Sequence, residues 1–193
     1  MIYLCVGFLR SHTTMMMHCL EAGGLNPVWD SERDEWASEN TVEVNPGNKL
    51  REITDATLKS FAYQPAQYDG RLIKLITKYG YLRLPAWQYK VILMVRDPEE
   101  IRQSFHRVFG KPLTYTGEAG EQVPLTNELY YHVISGVAAD LTAQNIPFTP
   151  FNSRDVLQKP LGAFRYLAQH GWPIHAENAA AVVQPQHQHV TVN

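Results

Sequence analysis

The sequence predicts an α/β fold of three layers, in which a central parallel sheet of four to five strands is flanked by helices. Two observations support this prediction. Short apolar runs alternate along the chain with longer segments of helical periodicity. The apolar runs are also nearly continuous, as expected where helices cover both faces of a parallel sheet. The first unit is typical, because residues 2–6 form such a run and residues 13–22 have helical character up to the Gly23-Gly24 pair.

The remaining elements follow in the same order. A polar loop is predicted over residues 30–47, where a Pro-Gly pair ends the segment. Further strands are predicted at residues 72–77, 90–95 and 147–151. Further helices are predicted at residues 49–61, 98–108, 125–144 and 161–170. The helix from residue 98 has the most complete start signal, because Asp97 can cap it, Pro98 suits its first position and Glu100 completes a capping box.

Composition limits the classes to which the chain can belong. A length of 193 residues with 45% hydrophobic and 19% charged side chains is typical of one folded domain. We expect that domain to span residues 1–183, followed by a flexible polar tail at 184–193. The net charge of −2 gives no general attraction to nucleic acid. No apolar stretch approaches the roughly 20 residues of a membrane span, and two cysteines form no disulfide framework, so we expect a cytoplasmic protein.

The turn after the first strand has the composition of an anion site. Residues 7–14 reverse the chain and begin a helix, so free amides and the positive end of the helix dipole face outward. Arg10 and the hydroxyls of Ser11, Thr13 and Thr14 lie in the same turn. Such groups suit phosphate or sulfate oxygens, although the hydroxyls can equally cap the helix while the arginine is solvated. The lysine of the motif GxxxxGK[ST] is missing, which disfavours ATP or GTP hydrolysis.

A second cation stands at the end of another predicted strand. Arg96 directly follows residues 90–95, and Ser104 lies about two turns into the next helix. Ligands of open α/β sheets bind at the carboxyl ends of the strands. If the first strand lies next to the third, Arg10 and Arg96 face one crevice. That crevice would suit a ligand with two separate phosphates.

At these two places the sequence resembles the sulfotransferase family, whose members share a P-loop-type fold and transfer a sulfuryl group from 3′-phosphoadenylyl sulfate (PAPS). The family's loop, roughly [KR]-S-G-T-T after a first strand, is similar to residues 10–14, which read Arg-Ser-His-Thr-Thr. The family's 3′-phosphate motif is a strand ending in Arg-Asp-Pro with a serine eight residues after the arginine, and residues 96–104 are similar to it. The order of the two motifs also agrees, and the similarity extends over most of the chain.

The resemblance implies a role for each matching residue. Arg10 would be catalytic, contacting the transferring sulfonate or its bridging oxygen, while Arg96 and Ser104 would bind the 3′-phosphate. The 5′-phosphate would be held by Ser11, Thr13 and Thr14. His12 replaces the family's glycine, and its side chain either strains the turn, if φ is positive, or donates a hydrogen bond to the anion. The expected ligand is PAPS, or its product 3′,5′-bisphosphoadenosine (PAP), and no metal is required.

The general base is not marked by a motif. Acidic side chains cluster in the predicted loop after the first helix, where some family members place a catalytic glutamate, and Glu32 is our candidate base. The other members of this cluster are Asp30, Asp34 and Glu35. Histidines that qualify by position alone are His18, His106 and His132. All of these side chains could equally be structural or solvated, and the tail lacks the late basic residues with which many family members close over the 3′-phosphate.

The acceptor is specified only as a small hydroxylated molecule. Aromatic residues between the first helix and the second strand could line its pocket, and the Gly-rich segment 110–120 could act as a lid. Two other functions stay open: a nucleotide-binding relative that kept the fold but lost transfer, and a small-molecule kinase that uses the same loop. The missing P-loop lysine and the lack of a clear Mg²⁺-binding aspartate at a strand end argue against the kinase.

Overall fold

The structure is a computed structural model that describes residues 1–31, 53–77, 80–116 and 121–183. The strands within these ranges are β1 (Ile2–Gly7), β2 (Asn26–Pro27), β3 (Arg71–Ile76), β4 (Tyr89–Val95), β5 (Thr114–Thr116), β6 (Gln122–Pro124) and β7 (Phe148–Asn152). The helices are α1 (Thr13–Ala22), α2 (Asp55–Tyr63), α3 (Pro98–Phe109), α4 (Asn127–Ala143), α5 (Ser153–Gln158), α6 (Pro160–Gln169) and α7 (Ala176–Ala181). A 3₁₀ turn, Pro65–Tyr68, precedes β3.

Five of the strands form one parallel sheet in the order β2-β3-β1-β4-β7. The predicted α/β class with a parallel sheet of four to five strands is therefore confirmed. β1 is the central strand, and its Val6 lies opposite Leu75 of β3 on one side and Leu93 of β4 on the other. Because β1 and β4 are neighbours, the segments that follow them leave the sheet side by side, as the sequence predicts.

Side chains of the sheet alternate between two apolar clusters, one on each face. Leu4 and Val6 of β1 pack into a cluster with α2, α3 and α4, which includes the buried aromatic rings of Phe61 and Tyr130. Cys5 of β1 packs into a second cluster with α1, α5, α6 and α7. The sheet therefore lies between two layers of helices, and its apolar strands are covered on both faces.

The sequence patterns miss five short elements and misplace one helix start. The strand β2 has two residues, the antiparallel hairpin β5–β6 has three in each strand, and α5 and α7 have six each, which is too short for a periodic pattern. Strands β5 and β6 lie in or beside the segment predicted as a Gly-rich lid. The helix predicted over 49–61 is observed from Asp55, because the Thr54 hydroxyl accepts a hydrogen bond from the amide of Thr57 and caps it there.

Some predictions concern residues outside the described part of the chain. These are the first residues of the predicted helix 49–61, most of the polar loop 30–47 and the tail 184–193. Among the described residues, no helix combines the length and apolar character needed to cross a membrane.

Candidate functional site

The turn between β1 and α1 is tightly folded around Gly7. A Cβ at Gly7 would lie 2.5 Å from Ser11 Oγ and 2.8 Å from Thr13 Cγ2, so only glycine fits there. The Ser11 hydroxyl donates to the carbonyl of Phe8 at 2.7 Å, and the amide of Ser11 donates to the same oxygen at 3.2 Å. The hydroxyl of Ser11 therefore closes the turn, and its oxygen rather than its proton is what remains for another partner.

Two residues of this turn have left-handed backbone geometry. Arg10 has φ 66° and His12 has φ 65° and ψ 21°. The condition under which the sequence predicts strain at His12, a positive φ, is therefore met. This geometry turns the chain so that Thr13 begins α1 directly, with its side chain buried beneath the turn.

Arg10, Ser104 and Arg96 come together at the carboxyl edge of the sheet. Arg10 Nε and Nη2 donate to Ser104 Oγ at 3.1 and 2.9 Å, and Arg96 Nη1 donates to the Arg10 carbonyl at 2.9 Å. The two predicted anion corners are thus parts of one site, although 86 residues separate the two arginines. Their convergence follows from the pairing of β1 with β4.

Arg96 is held on three sides. Its Nε donates to Glu100 Oε2 at 3.1 Å, and its backbone amide donates to the Tyr130 hydroxyl at 3.0 Å. The second oxygen of Glu100, Oε1, accepts from Arg154 Nη2 at 2.5 Å. Glu100 lies one helical turn after Arg96, on the face of α3 that also carries Ser104.

The helix start predicted at Asp97 is confirmed, since its carboxylate accepts from the amides of Glu99 and Glu100.

Sequence reasoning missed Lys74, which lies in the middle of β3. Its side chain is only 2% exposed, and its Nζ donates to the Thr14 hydroxyl at 3.0 Å. Lys74 pairs in register with Cys5 of β1, so a cation reaches the first turn of α1 from the neighbouring strand. The signal for it was a single charged residue in an otherwise apolar strand interior, Leu-Ile-Lys-Leu-Ile, since lysine is rarely buried without a polar partner.

The electrostatics of the site are dominated by positive charge. Burial and, to a smaller extent, the nearby charges of Arg96 and Arg107 lower the pKa of Arg10 to about 10. Burial also lowers the pKa of Arg96, while Glu100 acts in the opposite direction. Among the described residues, no carboxylate forms an ion pair with Arg10. An anion would therefore be attracted most strongly beside Arg10.

Of the candidate general bases, the structure describes Asp30 and the three histidines. Glu32, Asp34 and Glu35 lie outside the described residues. Asp30 instead accepts from the amide of Thr54 at 2.6 Å and from the hydroxyl of Thr57 at 3.1 Å, which ties it to the start of α2. The three histidines lie on helices. His18 is on α1, with its Nδ1 3.8 Å from Glu21 Oε2. The other two are exposed, His106 on α3 and His132 on α4.

Comparisons with known proteins show little similarity. No family model matches the chain, and no curated protein matches it. Among solved structures, the chain is similar to the crystal structure of an unliganded sugar kinase from a Janibacter species. The two chains share 16% identity, with a TM-score of 0.43, over 95% of this chain and 98% of that chain. Similarity at this level carries no argument about function.

Proposed function

We propose that this protein is sulfotransferase-like. It binds PAPS at the carboxyl edge of its sheet and passes the sulfuryl group to a small hydroxylated acceptor. One observation carries the proposal: Arg10 donates to Ser104 while Arg96 donates to the Arg10 carbonyl. The two motifs that resemble the family therefore form one buried cationic site rather than two surface patches. A site of this kind suits a nucleotide with phosphates at both ends.

The residues present fit such a ligand. Arg96 and Ser104 would hold the 3′-phosphate, and the turn with Thr13 and Thr14 would hold the 5′-phosphate. Lys74 adds a positive charge beside the Thr14 hydroxyl. The motifs that carry the resemblance do not include this lysine. The guanidinium of Arg10 contacts Ser104 and retains N–H groups beyond those used there.

In the proposed reaction, the sulfur–oxygen bond to the 5′-phosphate breaks, and a sulfur–oxygen bond to the acceptor hydroxyl forms as that hydroxyl loses its proton. The chain's own contribution is to bind the phosphates and to offset negative charge with Arg10 and Lys74. Charge stabilisation and positioning are the main requirements of such transfers. Glu32 stays our candidate for the base that accepts the proton.

Calorimetric titration of PAP, 5′-AMP and ATP tests the proposal. We expect PAP to bind more tightly than either of the others, because only PAP has a 3′-phosphate. Arg96→Ala should weaken PAP binding at least about tenfold and 5′-AMP binding much less, since the lost contact is a charge-assisted one. Arg102→Ala is the matched control, because Arg102 lies on the same helix but pairs with Glu99 at the surface. Equal losses for the two nucleotides in Arg96→Ala would show that the motif is misassigned.

A transfer assay with ³⁵S-labelled PAPS and a panel of small hydroxylated acceptors completes the test. We expect labelled product from at least one acceptor. Tight PAP binding without transfer to any acceptor would support the non-catalytic relative instead.

One observation favours a second function, phosphoryl transfer by a small-molecule kinase. The sequence argument against a kinase relied on the missing P-loop lysine and on the lack of a clear Mg²⁺-binding aspartate at a strand end. Lys74 bears on the first ground, because it brings an ammonium group to the same turn from β3. In that case ATP with Mg²⁺ would bind more tightly than PAP, and Arg96→Ala would leave ATP binding nearly unchanged.

A further inference from the structure

A buried carboxylate links two arginines at the edge of the site. Glu100 is 7% exposed, and its two oxygens accept from different side chains, Arg96 Nε at 3.1 Å and Arg154 Nη2 at 2.5 Å. Arg154 lies on α5, which follows β7, and β7 pairs with β4 in the sheet. The two guanidinium groups are therefore neighbours at the same carboxyl edge, although they come from different strand ends.

The two arginines differ in how much of each remains available. Arg96 is 5% exposed, and both its Nε and its Nη1 are used, by Glu100 and by the Arg10 carbonyl. Arg154 has a side chain that is 54% exposed, and its contact with Glu100 uses Nη2. An arginine has five N–H donors, so most donors of Arg154 stay available to a ligand beside Arg96.

The charges of this group are unbalanced. One carboxylate, Glu100, faces two guanidinium groups directly, and the guanidinium of Arg10 is held nearby through Ser104. Among the described residues, Glu100 is the carboxylate that pairs directly with Arg96 and Arg154, while Asp97 and Asp155 act on these arginines from beyond ion-pair distance. A multiply charged anion would restore the balance, and bidentate contact with oxyanions is the geometry that arginine favours.

We propose that Arg154 is an anion-binding residue of this site, held beside Arg96 by Glu100, and that it contacts the same phosphate as Arg96. The identity of that phosphate, the 3′-phosphate of PAP, rests on the proposed function. Neither motif of the resemblance includes Arg154. Many family members close over the 3′-phosphate with late basic residues, which the tail of this sequence lacks. Arg154, at the start of α5, would supply a basic side chain in their place.

The test compares Arg154→Gln with a matched control, Arg165→Gln. Arg165 is similarly exposed, at 59%, and its Nη2 donates to Glu177 at 3.1 Å, but it takes no part in the contacts around Glu100. PAP and inorganic pyrophosphate are titrated calorimetrically into the full chain. We expect Arg154→Gln to weaken both about tenfold, the value of a lost charge-assisted hydrogen bond, and Arg165→Gln to leave both unchanged.

Glu100→Gln gives an independent result. This change adds net positive charge, so a simple charge effect predicts tighter anion binding, whereas loss of orientation at Arg96 and Arg154 predicts weaker binding. We expect pyrophosphate to bind several-fold more weakly. Tighter binding by Glu100→Gln would overturn the proposal. So would an Arg154→Gln protein that melts at a lower temperature but binds pyrophosphate like the wild type, since that is the behaviour of a purely structural ion pair.

Failure of the proposed function has a different signature. If wild-type protein binds PAP no more tightly than 5′-AMP, the 3′-phosphate assignment is wrong, while the pyrophosphate titrations still decide whether Arg154 binds anions. If wild-type protein binds neither PAP nor pyrophosphate, both proposals are wrong.

Discussion

Arg10 and Arg96 are in opposite electrostatic situations, although they belong to one site. The charge of Arg96 is paired with the buried carboxylate of Glu100. Arg10 contacts the neutral hydroxyl of Ser104 and lies near two other positive charges, and its pKa falls to about 10 for that reason as well as for its burial. In the free protein, therefore, the charge of Arg10 lowers the stability of the fold, whereas Glu100 partly offsets the cost of burying the charge of Arg96.

Substitution of each arginine by glutamine tests this contrast. We expect Arg10→Gln to raise the melting temperature of the free protein, because a desolvated and repelled cation is removed. Arg96→Gln should lower the free energy of unfolding by about 3 kcal/mol, because the buried carboxylate of Glu100 loses one of its two partners. Both variants should bind PAP more weakly. Thermal and urea unfolding measure the stability of both variants. A loss of stability in Arg10→Gln would contradict the expectation for Arg10.

His12 provides a second test at the residue scale. Its left-handed backbone costs a residue with a Cβ roughly 1–2 kcal/mol, which glycine avoids, although glycine gives back roughly 0.5–1 kcal/mol through its greater freedom in the unfolded chain. We therefore expect His12→Gly to melt at the same or a slightly higher temperature and to bind PAP as well as the wild type or better.

Asn145→Gly is the control for His12→Gly, since Asn145 also has a positive φ, 53°, but lies after α4. It should show a similar change in stability and no change in affinity. A large loss of PAP affinity confined to His12→Gly would give the histidine side chain a direct role in binding the anion.

At the scale of elements, α4 contacts the segment before β4 closely enough to exclude a side chain. A Cβ at Gly136 would lie 2.1 Å from the carbonyl oxygen of Gly80. The amides of Leu82 and Leu84 in the same segment donate to Asp140 of α4 and to Gln144, the residue that caps this helix, so this backbone cannot easily move away. The glycine is therefore needed for the packing of the helix rather than for its conformation.

We expect Gly136→Ala to lower the free energy of unfolding by about 2 kcal/mol or more, as overpacking against backbone does. Gly162→Ala is the matched control, because Gly162 lies in helix α6 and nothing lies within 4 Å of its added Cβ. There the better helix propensity of alanine should stabilise the protein by about 0.5–1 kcal/mol. Urea denaturation measures both, and equal effects of the two substitutions would contradict the packing argument.

Predictability from sequence follows the length and regularity of the elements. The strands β1, β3 and β4 are predictable because nearly continuous apolar runs are typical of parallel strands covered by helices on both faces, while β7 has the weaker signal Phe-Thr-Pro-Phe-Asn. The two arginine corners were found because they directly follow such strands. Lys74 was missed because its role depends on which strand lies beside β1, and the contact between Glu100 and Arg154 depends on β7 lying beside β4. Pairing of that kind is a property of tertiary structure.

At the scale of the whole molecule, the overall charge and the local charge have opposite signs. The chain carries a net charge of −2, yet the carboxyl edge of the sheet gathers Arg10, Arg96 and Arg154, and Lys74 reaches the first turn of α1 from β3. A ligand anion is therefore drawn by this edge and not by the molecule in general. The parallel order of the sheet produces the concentration, because each of the strands β1, β4 and β7 delivers one arginine just beyond its carboxyl end.

This arrangement gives anion binding a defined pH dependence. The pKa of Arg10 in the free protein is lowered to about 10 by burial and by neighbouring cations, and a bound anion opposes both causes and raises it again. Arg10 is thus charged in both states well below pH 10, so PAP affinity should be constant there. As the pH rises through 10, the free protein loses the proton while the complex retains it, so the affinity should fall, with proton uptake on binding.

Calorimetry between pH 8 and pH 10.5, in buffers of different ionisation enthalpy, measures both the affinity and the proton uptake. Circular dichroism over the same range shows whether the fold is intact. Lys74→Met is the control, because it removes the other ionisable cation at this turn while leaving Arg10 in place. We expect the proton uptake to persist in Lys74→Met. If it disappears there, or if the affinity is unchanged up to pH 10.5, Arg10 is not the cation that the anion contacts.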